Sequence, residues 1–99
     1  MASVIITASA YNDITTILAD LAAKAGISIA ERYLNDFYVL FDRLKNFPAI
    51  GAPRHVLGDN TRISIVAPYI VIYDYVDADV TILRVLHGRR DITQRLLPR

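Results

Sequence analysis

The chain has 99 residues, 54% of them hydrophobic and 21% charged, with no cysteine. This length makes one domain, 1–99, able to fold without staples, while the apolar content excludes a disordered chain and the missing cysteines exclude disulfides, thiolate metal sites and a cysteine nucleophile. The net charge of +1 hides an asymmetry: residues 84–99 carry five arginines against one aspartate, or +4, and residues 1–83 carry six cations against nine acids, or −3.

Val4-Ile5-Ile6-Thr7 is a short β-branched run that reads as a first strand, placed at an edge. From about Ser9 the period changes. Ile14, Ile17, Leu18, Leu21, Ala22 and Ala25 recur at helical spacing, and Gly26 closes this amphipathic helix as a residue free to adopt a left-handed conformation. Ser28-Ile29-Ala30-Glu31 matches a capping box and predicts a second helix from near Ile29. Its seam of Ala30, Leu34, Phe37, Phe41 and Leu44 suits an antiparallel helical hairpin, which Pro48 ends at Asn46 or Phe47.

Phe47 to Thr61, rich in proline and glycine, reads as a surface connection carrying Arg54 and His55. Three strands follow, Arg62–Ala67, Tyr69–Val76 and Val80–Leu86, joined by tight turns as an antiparallel meander. Strict alternation places Leu83, Val85 and His87 on one face of the last strand and Ile82, Arg84 and Leu86 on the other. With the final hairpin turning about Ala78, Asp74 faces Ile82 and lies diagonal to Arg84, predicting a cross-strand ion pair between Asp74 and Arg84. The fold class is therefore α+β: an N-terminal strand, an antiparallel helical hairpin, then a three-strand antiparallel meander.

At Gly88 the last strand breaks into Arg89-Arg90-Asp91, and a basic end on a mildly acidic body favours an anionic partner, either nucleic acid or an acidic protein surface. His87 is a lone imidazole without a second base or an orienting carboxylate, so it reads as a turn residue. Asp91 reads as a partner of free backbone donors or of Arg90. His55 and His87 lack metal-ligand spacing, and no metal or cofactor is expected. No apolar run reaches the roughly 20 residues of a membrane span, and the start lacks the basic lead and hydrophobic block of a secretion signal. The expectation is a soluble, cytoplasmic protein without membrane contact.

Together these elements and the ending "ILRVLHGRRDI" resemble the toxins of bacterial toxin-antitoxin pairs in the RelE/ParE superfamily. The stretch "APYIVIYDYVDADVTILRVLHG" fits the ParE branch, whose strands are flanked by tyrosines. This resemblance implies a toxin that binds and poisons DNA gyrase and is neutralised by a ParD-like antitoxin, with promoter DNA reached only through the antitoxin. The antitoxin's disordered C-terminal part would fold over apolar surface along the helices and sheet; its contact residues stay unassigned. In RelE-like ribosome-dependent messenger RNA endonucleases an arginine commonly follows the aromatic opening the middle strand, but here Tyr69 is followed by Ile70. Where those enzymes place a late tyrosine or histidine, this chain runs Arg95-Leu96-Leu97, so of their usual cations only Arg90 has a clear counterpart. The residues expected to engage the target are Arg89, Arg90, Arg95 and Arg99, supported by Asp74, Arg84, His87, Gly88 and Asp91, with no catalytic residue. The alternatives are a ribonuclease using Arg62, Arg90 and His87, or an inactive relative that only binds its antitoxin.

Overall fold

Thr7 starts the first helix and anchors it to the sheet. Its extended backbone lets its Oγ1 accept from the Ala10 amide at 3.1 Å, and the hydroxyl donates to the Ile82 carbonyl at 2.8 Å. In the computed structural model, which describes residues 1–99, the elements are β1 (Ser3–Ile6), α1 (Ala8–Ala25), α2 (Ile27–Asn46), β2 (Ala52–Pro53), β3 (Thr61–Val66), β4 (Tyr69–Val76) and β5 (Asp79–His87), followed by a 3-10 turn at Gln94–Leu96. The sheet order is β1-β5-β4-β3-β2, with β3, β4 and β5 forming the expected antiparallel meander and β1 pairing parallel to β5 at one edge.

The expected capping box at Ser28 and Glu31 does not form. Gly26, at φ +99°, both closes α1, its amide donating to the Ala22 carbonyl, and opens α2, its carbonyl accepting from the Ala30 amide. The reversal is completed within one residue, so Ser28 is already inside the first helical turn and cannot take the extended conformation of a cap. Glycine is needed there because the positive φ strains any residue bearing a Cβ. The long connection also holds a short strand, β2, whose Ala52 and Pro53 pair with Ile63 and Arg62. Proline is tolerated in it because it forms the sheet's outer edge.

Two apolar layers sandwich the sheet. On the helix side Ala10, Ile14, Phe37, Phe41 and Leu44 pack against Val71, Tyr73, Val80, Ile82 and Val85. On the outer side Leu57, Ile63, Ile72, Leu83 and Leu86 are covered by Leu97, with Ile92 and Leu96 packed alongside. The C-terminal tail is thus the lid of a second core, closing a face that the helices leave bare.

Strict alternation along β5 fails at one place. Ile72 pairs with Arg84 and Tyr73 with Ile82, which leaves Leu83 as the extra residue of a β-bulge. The bulge sends Ile82 and Val85 to the helix side and Leu83 and Leu86 to the outer side. The expected Asp74–Arg84 ion pair does not form, although the bulge keeps Arg84 opposite Ile72, two residues from Asp74 along β4. The β4–β5 hairpin turns through Asp77-Ala78, with Asp77 at φ +56°, so Asp74 faces Thr81 instead of Ile82. Arg84 instead reaches Asp13 of α1, its Nε 2.6 Å from one carboxylate oxygen and its Nη2 2.9 Å from the other, while its Nη1 donates to the Leu96 carbonyl at 2.8 Å. Asp13 also accepts from the Val85 amide at 3.0 Å, satisfying a β5 edge donor beyond the end of β1. A forked guanidinium–carboxylate pair with both partners largely covered ties α1, β5 and the tail together.

Candidate target-binding surface

The end of β5 is a tight turn built from the residues singled out in the sequence. Gly88 donates its amide to the Pro68 carbonyl at 2.8 Å, and Arg90 donates its own to the His87 carbonyl at 3.0 Å. A Cβ on Gly88 would come within 3.1 Å of that Pro68 oxygen, so glycine lets the turn approach the β3–β4 connection closely. His87 holds the turn from within: its Nδ1 accepts from the Arg89 amide at 3.1 Å, and its ring sits edge-to-face on Tyr69 with centroids 5.9 Å apart. The imidazole is a turn residue.

The Arg89 and Arg90 side chains project from this turn, exposed and outside every ion pair, and Arg95 is exposed on the 3-10 turn. Asp91 is also exposed and pairs with neither Arg90 nor a backbone donor, contrary to expectation. Arg99 is placed differently from the other three. Its Nε and Nη2 grip the two Asp74 oxygens at 3.0 and 2.9 Å, Nη1 donates to the Leu57 carbonyl at 2.8 Å, and Nη2 also donates to Thr61 Oγ1. It is the clamp that holds the tail over the outer core, so the arginines expected to act together divide into three free groups and one latch.

Burial alone would raise the Asp74 carboxyl, but hydrogen bonds from Arg99 and Thr61 and the Arg99 charge outweigh it and hold the group below the ordinary 3.8. Because the folded-state value lies below the unfolded one, the clamp contributes fully above the unfolded value and is lost as pH falls through the lowered one. Hydrogen-exchange protection of the Leu96, Leu97 and Arg99 amides, corrected for intrinsic rates, is therefore expected to drop as pH falls below the ordinary carboxylate value, before the sheet opens. An Asp74→Asn variant should show little of this dependence. Tail protection that stays level with the sheet's over that fall in pH would contradict the clamp.

The residues of the ribonuclease alternative do not converge. Arg62 donates to the Ala49 and Gly51 carbonyls at 3.0 and 2.8 Å and lies opposite Tyr73, whereas His87 lies opposite Tyr69. Four residue steps along β4 separate those positions, about 13 Å at the usual strand rise. No group of three or more His, Asp or Glu side chains is placed to hold a metal ion, and no helix is long and apolar enough to cross a membrane.

A second surface lies between α2 and β3. Two adjoining hollows of about 330 and 340 Å³ share Leu40, Arg43 and Ile65. β2 covers only Arg62 and Ile63, so the edge of β3 from Ser64 to Val66 has no strand beside it, and Ile65 stands 67% exposed, with Val39 also exposed on the helix opposite. This is apolar surface along the helices and sheet of the kind expected to meet an antitoxin, and its residues were not assigned from the sequence. The available signal was Val39, an apolar residue off the buried seam of α2.

Comparison with known proteins agrees with this geometry. The family described as the ParE toxin of the type II toxin-antitoxin system, parDE, matches residues 4–92. The chain belongs to the ParE toxin family. Toxin ParE3 of Caulobacter vibrioides is 33% identical to this toxin over 96 residues, which is 97% of this chain and 96% of that protein. A solved structure described as the chromosomal ParDE TA system from P. aeruginosa superposes with a TM-score of 0.74 at 20% identity, covering 88% of this chain and 96% of that one, and shares the fold. The family match ends at Ile92, so the Arg99 clamp lies outside it while the turn bearing Arg89 and Arg90 lies inside.

Proposed function

We propose that this ParE-family toxin acts in the cytoplasm by binding, engaging DNA gyrase through the arginine turn and holding the gyrase–DNA cleavage complex so that broken DNA accumulates. The observation that carries this reading is the pair of exposed guanidiniums at Arg89 and Arg90, outside every ion pair, on a turn whose histidine is engaged through Nδ1 with the Arg89 amide. A binding poison needs a rigid, unpaired cationic projection, and the backbone hydrogen bonds at His87 and Pro68 supply the rigidity. Expression of the toxin is expected to stop gyrase-dependent supercoiling and induce a DNA-damage response while leaving translated messages intact. Cleavage of messenger RNA on ribosomes with supercoiling unaffected would replace this reading with the nuclease one.

A ParD-like antitoxin, suggested by the parDE pairing in the family's description, is proposed to neutralise the toxin by laying a segment that folds on binding into the α2–β3 groove, and to carry any promoter contact itself. Apolar lining at Val39 and Ile65, with Arg32 and Arg43 against the single carboxylate of Asp36, suits an amphipathic segment with acidic flanks. An Ile65→Glu variant is expected to weaken antitoxin binding at least about tenfold and to remain toxic when the antitoxin is co-expressed, since a buried unpaired carboxylate costs well over 1.4 kcal/mol. Full neutralisation of that variant would move the antitoxin to another surface.

A further inference from the structure

We infer that the tail face of the toxin is a contact surface for the phosphate backbone of duplex DNA, extending from the arginine turn to the loop between β2 and β3. This deepens the gyrase–DNA reading by naming which component of that complex the arginines touch. Once Asp13 has taken Arg84 and Asp74 has taken Arg99, four arginines remain exposed and outside any ion pair on this side: Arg54, Arg89, Arg90 and Arg95. Asp59 and Asp91 are the carboxylates among them.

The fold sets these arginines in a row. Arg89 and Arg90 follow His87, which lies opposite Tyr69, and the tail then returns across the outer core until Arg99 reaches Asp74 at the other end of the same strand. Five residue steps of strand span about 17 Å. Midway along the return, Gln94 Nε2 donates to the Val56 carbonyl at 2.9 Å and draws the β2–β3 loop against the tail beside Arg95. Arg54, two residues before Val56, is fixed by the hydrogen bond its backbone amide donates to the Thr61 carbonyl at 2.9 Å.

A row of about 17 Å is long enough to follow the phosphate backbone of one strand over a few nucleotides. The Arg89, Arg90 and Arg95 guanidiniums donate to nothing within the chain and can take phosphate oxygens bidentately, whereas Arg54 already donates through Nη1 to the Pro53 carbonyl at 3.3 Å and offers its remaining donors. Nothing in this arrangement reads bases, and the contact is expected to be independent of sequence.

The test uses the full toxin and a fluorescein-labelled 20-base-pair duplex without gyrase, followed by anisotropy across a salt series. Binding is expected at low salt, with a slope of log affinity on log salt of about −3.6 for four phosphate contacts. Arg54→Ala and Arg95→Ala should each reduce the slope's magnitude by about 0.9 at unchanged melting temperature. No binding at low salt, or slopes untouched by both substitutions, would overturn the inference. Supercoiling assays on the same preparations separate it from the reading beneath it. Gyrase inhibition without duplex binding assigns the arginines to an acidic gyrase surface and removes the DNA contact. Duplex binding without gyrase inhibition keeps the DNA contact and removes gyrase as the target.

Discussion

Replacing Arg89 and Arg90 together by alanine is expected to abolish growth arrest while leaving the fold intact. Both side chains are exposed and take part in no ion pair that the substitution would break. The turn's own bonds, from the Arg89 amide to His87 Nδ1 and from the Arg90 amide to the His87 carbonyl, use backbone donors that alanine retains. Stability should therefore change by no more than about 0.5 kcal/mol, the usual limit for surface substitutions away from special features. Two charge-assisted hydrogen bonds to the target, at about 1.5 kcal/mol or more each, correspond to a loss of roughly a hundredfold in affinity. The measurements are the toxin concentration that halves gyrase supercoiling, the melting temperature, and co-purification with the antitoxin, which should be unaffected because the α2–β3 groove is a separate surface. Wild-type potency in the double variant would remove the turn from the mechanism.

Gly51→Ala carries the largest expected effect on stability. The Gly51 amide donates to Tyr73 Oη at 2.9 Å, that hydroxyl donates to the Pro48 carbonyl at 2.8 Å, and Arg62 Nη1 donates to the Gly51 carbonyl at 2.8 Å. This network seats the connection after α2 on the sheet around Tyr73, which is 0% exposed and whose phenol burial pushes above its ordinary value. A Cβ on Gly51 would lie 2.5 Å from the Tyr73 hydroxyl and 2.7 Å from the Ile63 carbonyl. The methyl cannot be accommodated by turning a flexible side chain, because one neighbour is backbone and the other is locked in the core. Overpacking of this kind costs about 1–3 kcal/mol, and a displaced buried donor or acceptor adds about as much again. The sum, about 3 kcal/mol or more, corresponds to a melting temperature lowered by roughly 12 °C or more for a domain of this size. Tyr73→Phe removes only the hydroxyl and should cost less, and the two changes together should cost less than their sum because they disturb the same contact. A Gly51→Ala melting temperature within about 3 °C of wild type would contradict this account.

The elements governed by local rules were legible in the sequence. Helical spacing placed α1 and α2, Gly26 marked their junction, Pro48 marked the end of α2, and alternation with turn residues gave β4 its observed bounds, Tyr69–Val76. The resemblance of the "ILRVLHGRRDI" ending pointed to the family that the whole-chain comparison then showed. What could not be read was anything requiring two distant segments to be placed side by side. Ser28 and Glu31 satisfy a capping pattern, but a neighbouring glycine had already completed the turn. Asp74 and Arg84 are spaced for a cross-strand pair and remain diagonal across β4 and β5, but Arg99 takes the one and Asp13 the other. Asp13, which takes Arg84 instead, lies 71 residues away and stands in α1 like any other polar residue.

The amino-acid order by itself determined the two helices, the meander and the cationic character of the last sixteen residues, because periodicity, backbone freedom and charge are properties of neighbours along the chain. Only the tertiary structure decided which of those cations are free. The sheet has two apolar faces and the hairpin covers one, so the tail must fold back over the other, and that return spends Arg99 as a clamp while leaving Arg89, Arg90 and Arg95 exposed.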